Sequence, residues 1–306
     1  MSVKRDPGVE ARQQHGWLVA YKWLVLRRLV QAGFLLLFLS GPVLGIWIAK
    51  GTLASSMTFD VLPLTDPLVL LQTLVGGHWP ETLALIGAAI VLGAYLVLGG
   101  RLYCSWVCPI NPVTDLAALV RRKLDIQKGW TLKPKARLWV LGGILLASFL
   151  TGTIAFELIN PITTLYRGLL FGVTWGMSTV LLIFLFDVFV AKHGWCGHVC
   201  PVGAFYGLVN KTGLIRVSAR GRERCDECMD CYAVCPEMHV IAPALKARAA
   251  EASPIISDID CTSCGRCIDV CPERVFNFTH RFDKRVDAPT PPESEDNKKT
   301  PFEHAA

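Results

Sequence analysis

Charge is scarce over two long parts of this chain of 306 residues. Residues 29–100 carry only four charged side chains, and residues 138–191 carry only three. So few charges cannot coat a water-soluble surface, which excludes a soluble single-domain enzyme. The apolar content of 52% excludes a disordered chain. Motifs for covalent haem, a Walker loop, dinucleotide binding and hydrolysis are also absent, so the sequence has no signature of a complete enzyme.

Four apolar stretches are long enough to cross a bilayer, which needs about 20 residues per helix. They are residues 29–48, 81–100, 138–157 and 171–190. Buried helices of a large soluble protein would need amphipathic partner helices, and the sequence offers none. No small-residue cleavage site precedes the first stretch, so we expect a retained anchor rather than a signal peptide. We predict an α-helical membrane protein with four transmembrane helices.

Basic residues are unequally distributed between the segments that flank these stretches. Residues 1–28 and 101–137 hold fourteen Lys and Arg residues, whereas residues 50–80 and 158–170 hold two. The positive-inside rule therefore predicts that both termini and the 101–137 segment are cytoplasmic. We expect a multi-pass protein of the bacterial inner membrane. The net charge of +6 comes from these segments, so it indicates membrane orientation and no nucleic-acid partner.

The apolar region contains an internal repeat at an offset of 92–94 residues. A CxxxCP motif at residues 104–109 recurs at 196–201, and an Asx-Pro pair at residues 66–67 recurs at 160–161. Asx followed by Pro is typical of a helix N-cap, so each pair predicts a short interfacial or half-membrane helix. Two such units predict tandem repeats related by an axis along the membrane normal.

Eight of the twelve cysteines lie between residues 225 and 271 and form two CxxCxxCxxxCP runs. This is the spacing of bacterial two-cluster ferredoxins, in which the fourth cysteine of each run ligates the other cluster. We therefore predict two [4Fe–4S] clusters. The predicted ligands of cluster I are Cys225, Cys228, Cys231 and Cys271. Those of cluster II are Cys261, Cys264, Cys267 and Cys235. Zinc sites lack the doubled run, and a reducing cytoplasm disfavours disulfides.

The cysteines of the two CxxxCP motifs leave three interpretations open. Their i, i+4 spacing places two thiols on one helix face or at a helix start, and the repeat brings both pairs to one depth. They could hold a further iron–sulfur or metal centre, form a redox-active thiol set, or serve in packing. The first interpretation is the one we favour for Cys104, Cys108, Cys196 and Cys200.

These observations divide the chain into four parts. We expect a basic N-terminal segment at residues 1–28 and a four-helix membrane domain at 29–215. A ferredoxin-type domain with two clusters follows at 216–287, and the Pro-rich acidic composition of residues 288–306 predicts a disordered tail.

The chain resembles the NapH family, the polyferredoxin-like membrane subunit of the quinol dehydrogenase for periplasmic nitrate reductase. The resemblance rests on RLYCSWVCPINP at residues 101–112, GWCGHVCPVGAFYGL at 194–208, the four spans and the two cluster runs. It implies oxidation of quinol as substrate, with electrons passed to a periplasmic ferredoxin-type subunit and a membrane-anchored multihaem cytochrome. A chain of this kind is a component of a quinol dehydrogenase rather than a complete enzyme.

Two other functions remain open. The same clusters would suit a membrane assembly factor that reduces a metal or a thiol during maturation of a respiratory enzyme. They would also suit a cluster-bearing anchor that docks partners without contacting quinol. The related nitrous-oxide reductase regulator carries a large flavin-binding domain, and the related cytochrome-oxidase assembly protein usually has an added β-domain. Neither has a counterpart in this sequence.

Quinol oxidation releases two protons, so a quinol site needs proton acceptors. Ionisable residues within a membrane are functional candidates because they are costly there. The candidates are Asp66 and Asn160 at the Asx-Pro turns, Glu157 with Arg167, and Asp187. Their alternative roles are helix caps for the two Asx residues, an interfacial ion pair for Glu157, and pairing with Arg101 for Asp187. Glu157 and Asp187 are the predicted catalytic residues, with a slight preference for Glu157.

Overall fold

The computed structural model describes only part of the chain, and the predicted tail at residues 288–306 lies outside it. The described residues are 6–126, 129–130, 135–172, 177–246 and 253–283. They form a set of apolar helices followed by a small cysteine-rich domain.

The N-terminal region forms α1 (Val9–His15), α2 (Trp17–Ala20) and the long α3 (Lys22–Leu44). Helix α3 begins seven residues before the predicted span. It has 23 residues and is the one described helix long and apolar enough to cross a membrane. A three-stranded antiparallel sheet follows, in the order β1 (Ala49–Gly51), β2 (Ser55–Thr58) and β3 (Leu62–Thr65).

Two helical units then show the predicted repeat as the same order of elements. After α3, the first unit contains α4 (Pro67–Val75), α5 (Thr82–Leu98), a π-helical turn (Tyr103–Val107) and α6 (Ile110–Lys123). The second contains α7 (Ala136–Thr151), a 3₁₀ turn (Ala155–Leu158), α8 (Pro161–Phe171), α9 (Met177–Phe189), a second π-helical turn (Trp195–Val199) and α10 (Pro201–Val209). Both CxxxCP motifs therefore occupy π-helical turns rather than the face of an α-helix.

The Asx-Pro helices begin as predicted. The Asp66 carboxylate accepts the Leu68 N–H at 3.0 Å at the start of α4. The Asn160 side-chain oxygen accepts the Ile162 N–H at 3.0 Å at the start of α8. Each side chain thus satisfies a backbone donor that the helix leaves free, which confirms the cap role.

The other three predicted spans contain helices shorter than a transmembrane helix. Helices α5, α7 and α9 have 17, 16 and 13 residues, and residues 173–176 before α9 lie outside the described part. Their lengths fall below the roughly 20 residues that cross a bilayer. Four transmembrane helices therefore remain a prediction.

The C-terminal domain is held together by a two-stranded antiparallel sheet. Strand β4 (Ile215–Ser218) pairs with β5 (Asn277–His280), with Val217 opposite Phe278. Between them lie a 3₁₀ turn (Arg222–Arg224), α11 (Asp230–Val234), a 3₁₀ turn (Met238–Val240), α12 (Ile241–Lys246) and α13 (Arg266–Asp269). The sheet and α12 form a core with the cysteine runs around it.

Candidate iron–sulfur sites

The two cysteine runs share an unusual backbone conformation. Glu227 and Met229 flank the middle cysteine of the first run, with φ of 59° and 66°. Ser263 and Gly265 hold the matching positions of the second run, with φ of 47° and 75°. Left-handed residues alternating with right-handed ones turn backbone N–H groups into a concavity that suits an anionic group such as an iron–sulfur cluster. Of the four, only Gly265 signals this conformation in the sequence.

The cysteines of each predicted ligand set lie together. The Cys271 thiol interacts electrostatically with Cys231 and Cys225 of the first run. The Cys235 thiol does so with Cys264 and Cys261 of the second run. The fourth cysteine of each run therefore reaches the loop of the other run. The assignment of individual ligands stays a prediction.

The thiol spacing fits a cluster better than a single metal ion. Sulfurs held about 2.3 Å from a tetrahedral zinc lie only about 3.8 Å apart. Among the described residues, no three of the cysteine sulfurs lie within 4.8 Å of one another. This spacing disfavours a single zinc ion, and each predicted set offers the four thiolates that a [4Fe–4S] cluster needs.

Burial keeps most of these thiols neutral until metal binds. It raises the pKa of Cys261 to about 11 and that of Cys231 to about 12. Loading with iron must therefore release protons. Cys264 differs: burial also opposes its ionisation, but the Arg266 and Arg27 guanidinium groups bring its pKa below the usual value. The surroundings of Cys264 are thus electropositive.

A buried ion network joins this domain to the apolar helices. Glu237 Oε1 accepts from Arg101 Nη1 at 3.1 Å and from Arg137 Nη1 at 3.0 Å. Asp260 pairs with Arg137, and its carbonyl oxygen accepts from Arg101 Nη1 at 2.7 Å. Glu237 follows the first run and Asp260 precedes the second, so the network lies beside both ends of cluster II. Sequence reasoning missed it, since Arg137 was counted only as a topology signal and Arg101 was otherwise considered only as a partner of Asp187.

The second cysteine run also contacts both repeats, through the first CxxxCP segment and through Asn210 at the end of α10. Ser105 Oγ donates to the Thr262 carbonyl at 2.8 Å, and Trp106 Nε1 donates to the Ser263 carbonyl at 3.2 Å. From the other repeat, Asn210 Nδ2 donates to the Cys261 carbonyl at 3.1 Å. The pseudo-symmetric halves therefore hold the loop of cluster II between them.

The four CxxxCP thiols converge on one place. Cys196 interacts electrostatically with the other three, and Cys104 does so with Cys108 and Cys200. The four are half-buried, and Cys104, Cys108 and Cys200 pack against the core of the apolar helices, with Ile110 and Tyr206 among its buried members. Their proximity is compatible with a shared centre and leaves its chemistry open.

The candidate proton acceptors have partners other than those expected. Glu157 accepts from Asn160 Nδ2 at 2.9 Å and from Thr163 Oγ1. The expected ion pair with Arg167 is therefore wrong, because donors within two turns of the carboxylate take its place. Asp187 is fully buried and accepts the Trp195 N–H at 2.9 Å. Its expected pairing with Arg101 is also wrong.

A cavity of about 600 Å³ opens between α1, α3, α6 and the loop of cluster II. Its lining includes Tyr21, Leu24, Leu116, His193 and Arg266. Arg266 follows Cys264 by two residues, so the cavity reaches the surroundings of cluster II. Neither Glu157 nor Asp187 lines it.

Comparison with known proteins agrees with this geometry. A family model described as a 4Fe-4S binding domain matches residues 81–127 and 172–222, each of which contains one CxxxCP motif. A 4Fe-4S dicluster domain matches residues 224–275. No solved structure matches the chain.

Among curated proteins, the ferredoxin-type protein NapH of Escherichia coli is 50% identical over 281 residues, covering 91% of this chain and 96% of that protein. NapH of Haemophilus influenzae is 47% identical over 276 residues, covering 90% and 96%. The methylamine utilization ferredoxin-type protein MauN of Methylorubrum extorquens is 50% identical over 281 residues, covering 92% and 96%. These identities extend over both the apolar helices and the cysteine-rich domain, and the chain therefore belongs to the NapH family of ferredoxin-type proteins.

Proposed function

We propose that this iron–sulfur electron-transfer protein is the membrane subunit of a quinol dehydrogenase, passing electrons from quinol towards a periplasmic nitrate reductase. The observation that carries this proposal is the contact of the second cysteine run with both repeats, through the first CxxxCP segment and Asn210. It seats a carrier domain directly on the ends of the apolar helices. When bound, the two clusters would each carry one of the two electrons that a quinol releases. The proposed partners are a periplasmic ferredoxin-type subunit and a membrane-anchored multihaem cytochrome.

Deletion of the gene tests the proposal. We expect quinol-dependent nitrate reduction to be lost while nitrate reduction with an artificial electron donor survives. Survival of the quinol-dependent activity would refute the proposed role. Loss of the artificial-donor activity as well would favour the assembly factor, and rescue by added copper or thiol reductant would establish it.

The surface of the apolar helices supports a multi-pass membrane location. Large apolar side chains are exposed on each shorter helix, including Ile86 on α5, Trp139 on α7 and Leu182 on α9. Exposed apolar surface of this extent suits contact with lipid. With the basic residues as they are distributed, we propose that both termini and the ferredoxin domain are cytoplasmic. A reporter fused after Arg137 or Glu303 should be active only as a cytoplasmic fusion, and a periplasmic-type reporter active there would reverse the orientation.

Two locations for the quinol site differ in the residues that they require. Glu157 is half-buried and reachable, whereas Asp187 is fully enclosed, which favours Glu157 of the two predicted acceptors. The cavity beside Arg266 has a volume within the roughly 300–1,000 Å³ of small-molecule sites, and quinol bound there would need neither carboxylate.

Variants with unchanged iron content distinguish these locations. Glu157→Gln or Asp187→Asn should slow quinol-dependent electron transfer if the carboxylates accept protons, with the exposed Asp60→Asn as control. Leu116→Trp, which fills the cavity, should slow it if quinol binds there. Wild-type rates in both carboxylate variants would exclude Glu157 and Asp187.

The four converging thiols are proposed to hold a further iron–sulfur centre. The match of a 4Fe-4S binding domain to both CxxxCP segments supports this interpretation over packing. Residues that act as one unit show non-additive effects, so any single Cys104→Ser or Cys196→Ser change should cost nearly as much electron transfer as all four changes together. Four small and independent losses would favour packing roles.

The similarity to MauN supports a second candidate function. Identity to that methylamine utilization protein equals the identity to Escherichia coli NapH at 50%. The same membrane unit could therefore exchange electrons with a methylamine-oxidising system instead of nitrate reductase. Loss of growth on methylamine with intact nitrate reduction in the deletion strain would establish this alternative.

A further inference from the structure

One face of α3 follows the loop of cluster II and then the first CxxxCP segment. Residues four apart share a helix face, so Trp23, Arg27 and Gln31 form a row. Trp23 packs on Gly265, where an added Cβ would lie 2.8 Å from the Trp23 Cβ. At the other end of the row, Gln31 Nε2 donates to the Ser105 carbonyl at 2.8 Å. Arg27 is fixed between these two contacts.

The Arg27 side chain is fully buried, with 0% of its surface exposed. Within the described part of the chain, none of its three guanidinium nitrogens has a hydrogen-bond partner. A buried guanidinium without a protein acceptor is costly, and the rim of the roughly 600 Å³ cavity, which Arg27 helps to line, supplies it with no side-chain acceptor among the described residues. The position therefore calls for a negative partner that is not a protein hydrogen-bond acceptor.

The surroundings of Arg27 identify that partner. Cys264 lies close enough for a direct charge interaction with Arg27. The neighbouring Arg266 is already balanced, because Asp115 pairs with it at 2.6 Å. Arg28 pairs with the same carboxylate. Three arginines thus share one nearby carboxylate, and among the described residues Arg27 is the one of the three without an ion pair, since Asp115 and Asp269 act on it only at longer range.

We propose that Arg27 is the charge partner of cluster II and raises the reduction potential of that cluster above that of cluster I. The proposal rests on the ligand assignment made above and goes beyond it. Reduction adds one electron and no atom, so the reduced cluster carries one more negative charge, which a buried cation stabilises. Cluster I has no such neighbour in its own run, where Asp226, Glu227 and Asp230 add negative charge. Arg27 is a positioning and tuning residue and ligates nothing.

The test uses the full chain, purified anaerobically, with iron quantitation and an EPR-monitored redox titration. Wild type should contain at least about eight iron atoms and show a separate midpoint potential for each of clusters I and II. Arg27→Gln should lower only the higher midpoint, and Arg27→Lys, which keeps the charge, should lower it less. Arg28→Gln is the matched control. It removes the same charge at the next residue, from a guanidinium that already pairs with Asp115.

Unchanged midpoints in Arg27→Gln with full iron content would overturn the proposal, as would a shift confined to the lower midpoint. Should Arg27→Gln lose iron, Arg27→Lys decides the matter. Full iron and a near wild-type higher midpoint in that variant support the charge role, and loss of iron there as well makes Arg27 a packing residue. Fewer than about eight irons in wild type would instead refute the ligand assignment.

Discussion

The two cysteine runs have the same spacing and the same loop conformation but opposite surroundings. Asp226 and Glu227 of the first run are exposed, whereas Thr262 and Ser263 at the matching positions of the second run are buried. The first loop presents acidic side chains to solvent, and the second is enclosed by α3, the first CxxxCP segment and the end of α10. Ligand spacing selects the metal group, while burial, charge and hydrogen bonds around it set its potential and its contacts. The comparison therefore assigns different tasks to two sites that the cysteine pattern makes equivalent.

Replacing one ligand in each run gives the largest expected effect. Cys228→Ser and Cys264→Ser should each remove about four iron atoms, because a hard hydroxyl replaces a thiolate in a soft-metal site. The Cys264 variant should also loosen the domain from the helices, since its loop forms the contact. Iron quantitation and limited proteolysis measure the two effects. Full iron content in both variants would refute the ligand sets. Equal protease sensitivity would show that the second run does not attach the domain to the helices more than the first run does.

Removing one carboxylate near each run should lower the free energy of unfolding by amounts that differ by several kcal/mol. Glu237→Gln leaves Arg101 and Arg137 without their shared buried partner, and breaking such a pair costs about 3–5 kcal/mol. The exposed Asp226→Asn should change the free energy of unfolding by less than about 0.5 kcal/mol. Denaturant unfolding of the iron-loaded protein measures both. Similar losses in the two variants would show that the network does not anchor the domain.

The smallest expected difference comes from the matching left-handed positions. Gly265→Ala adds a Cβ both at φ 75° and 2.8 Å from Trp23, so it should cost more than the roughly 1–2 kcal/mol of the backbone conformation alone. Met229→Gly removes a Cβ at φ 66° from an exposed loop, so it should change stability by no more than about 1 kcal/mol. Thermal unfolding midpoints compare the two. If Gly265→Ala lowers the unfolding midpoint no more than Met229→Gly does, α3 is not tightly packed against the loop.

Local sequence signals predicted local features. The Asx-Pro pairs specified the starts of α4 and α8 because a cap needs only the residues beside it. The repeat was visible because both CxxxCP motifs recur at a fixed offset. The grouping of the eight ferredoxin cysteines was likewise predictable, since cluster spacing is itself a sequence pattern.

Features that depend on distant partners were not predictable from the sequence. Arg101 donates to Glu237 and to the Asp260 carbonyl, both more than 130 residues away, and to the Cys196 carbonyl, 95 residues away. No pattern within the 101–137 segment distinguishes such an arginine from one that only marks the cytoplasmic side. The π-helical form of the CxxxCP turns was missed for a related reason. A CxxxC spacing looks the same in the sequence whether the backbone is α-helical or π-helical.

The start of α3 depends on a residue made much later in synthesis. Its first turn is capped by Asp269, which accepts the Trp23 N–H at 3.1 Å and the Leu24 N–H at 2.9 Å across 246 and 245 residues. A ribosome adding about 5–20 residues per second makes that carboxylate roughly 12–50 s after the helix. Helix α3 thus leaves the ribosome uncapped, and its first turn is completed only when the C-terminal domain has folded. Capping of α3 by Asp269 is therefore a late step in the folding of this protein.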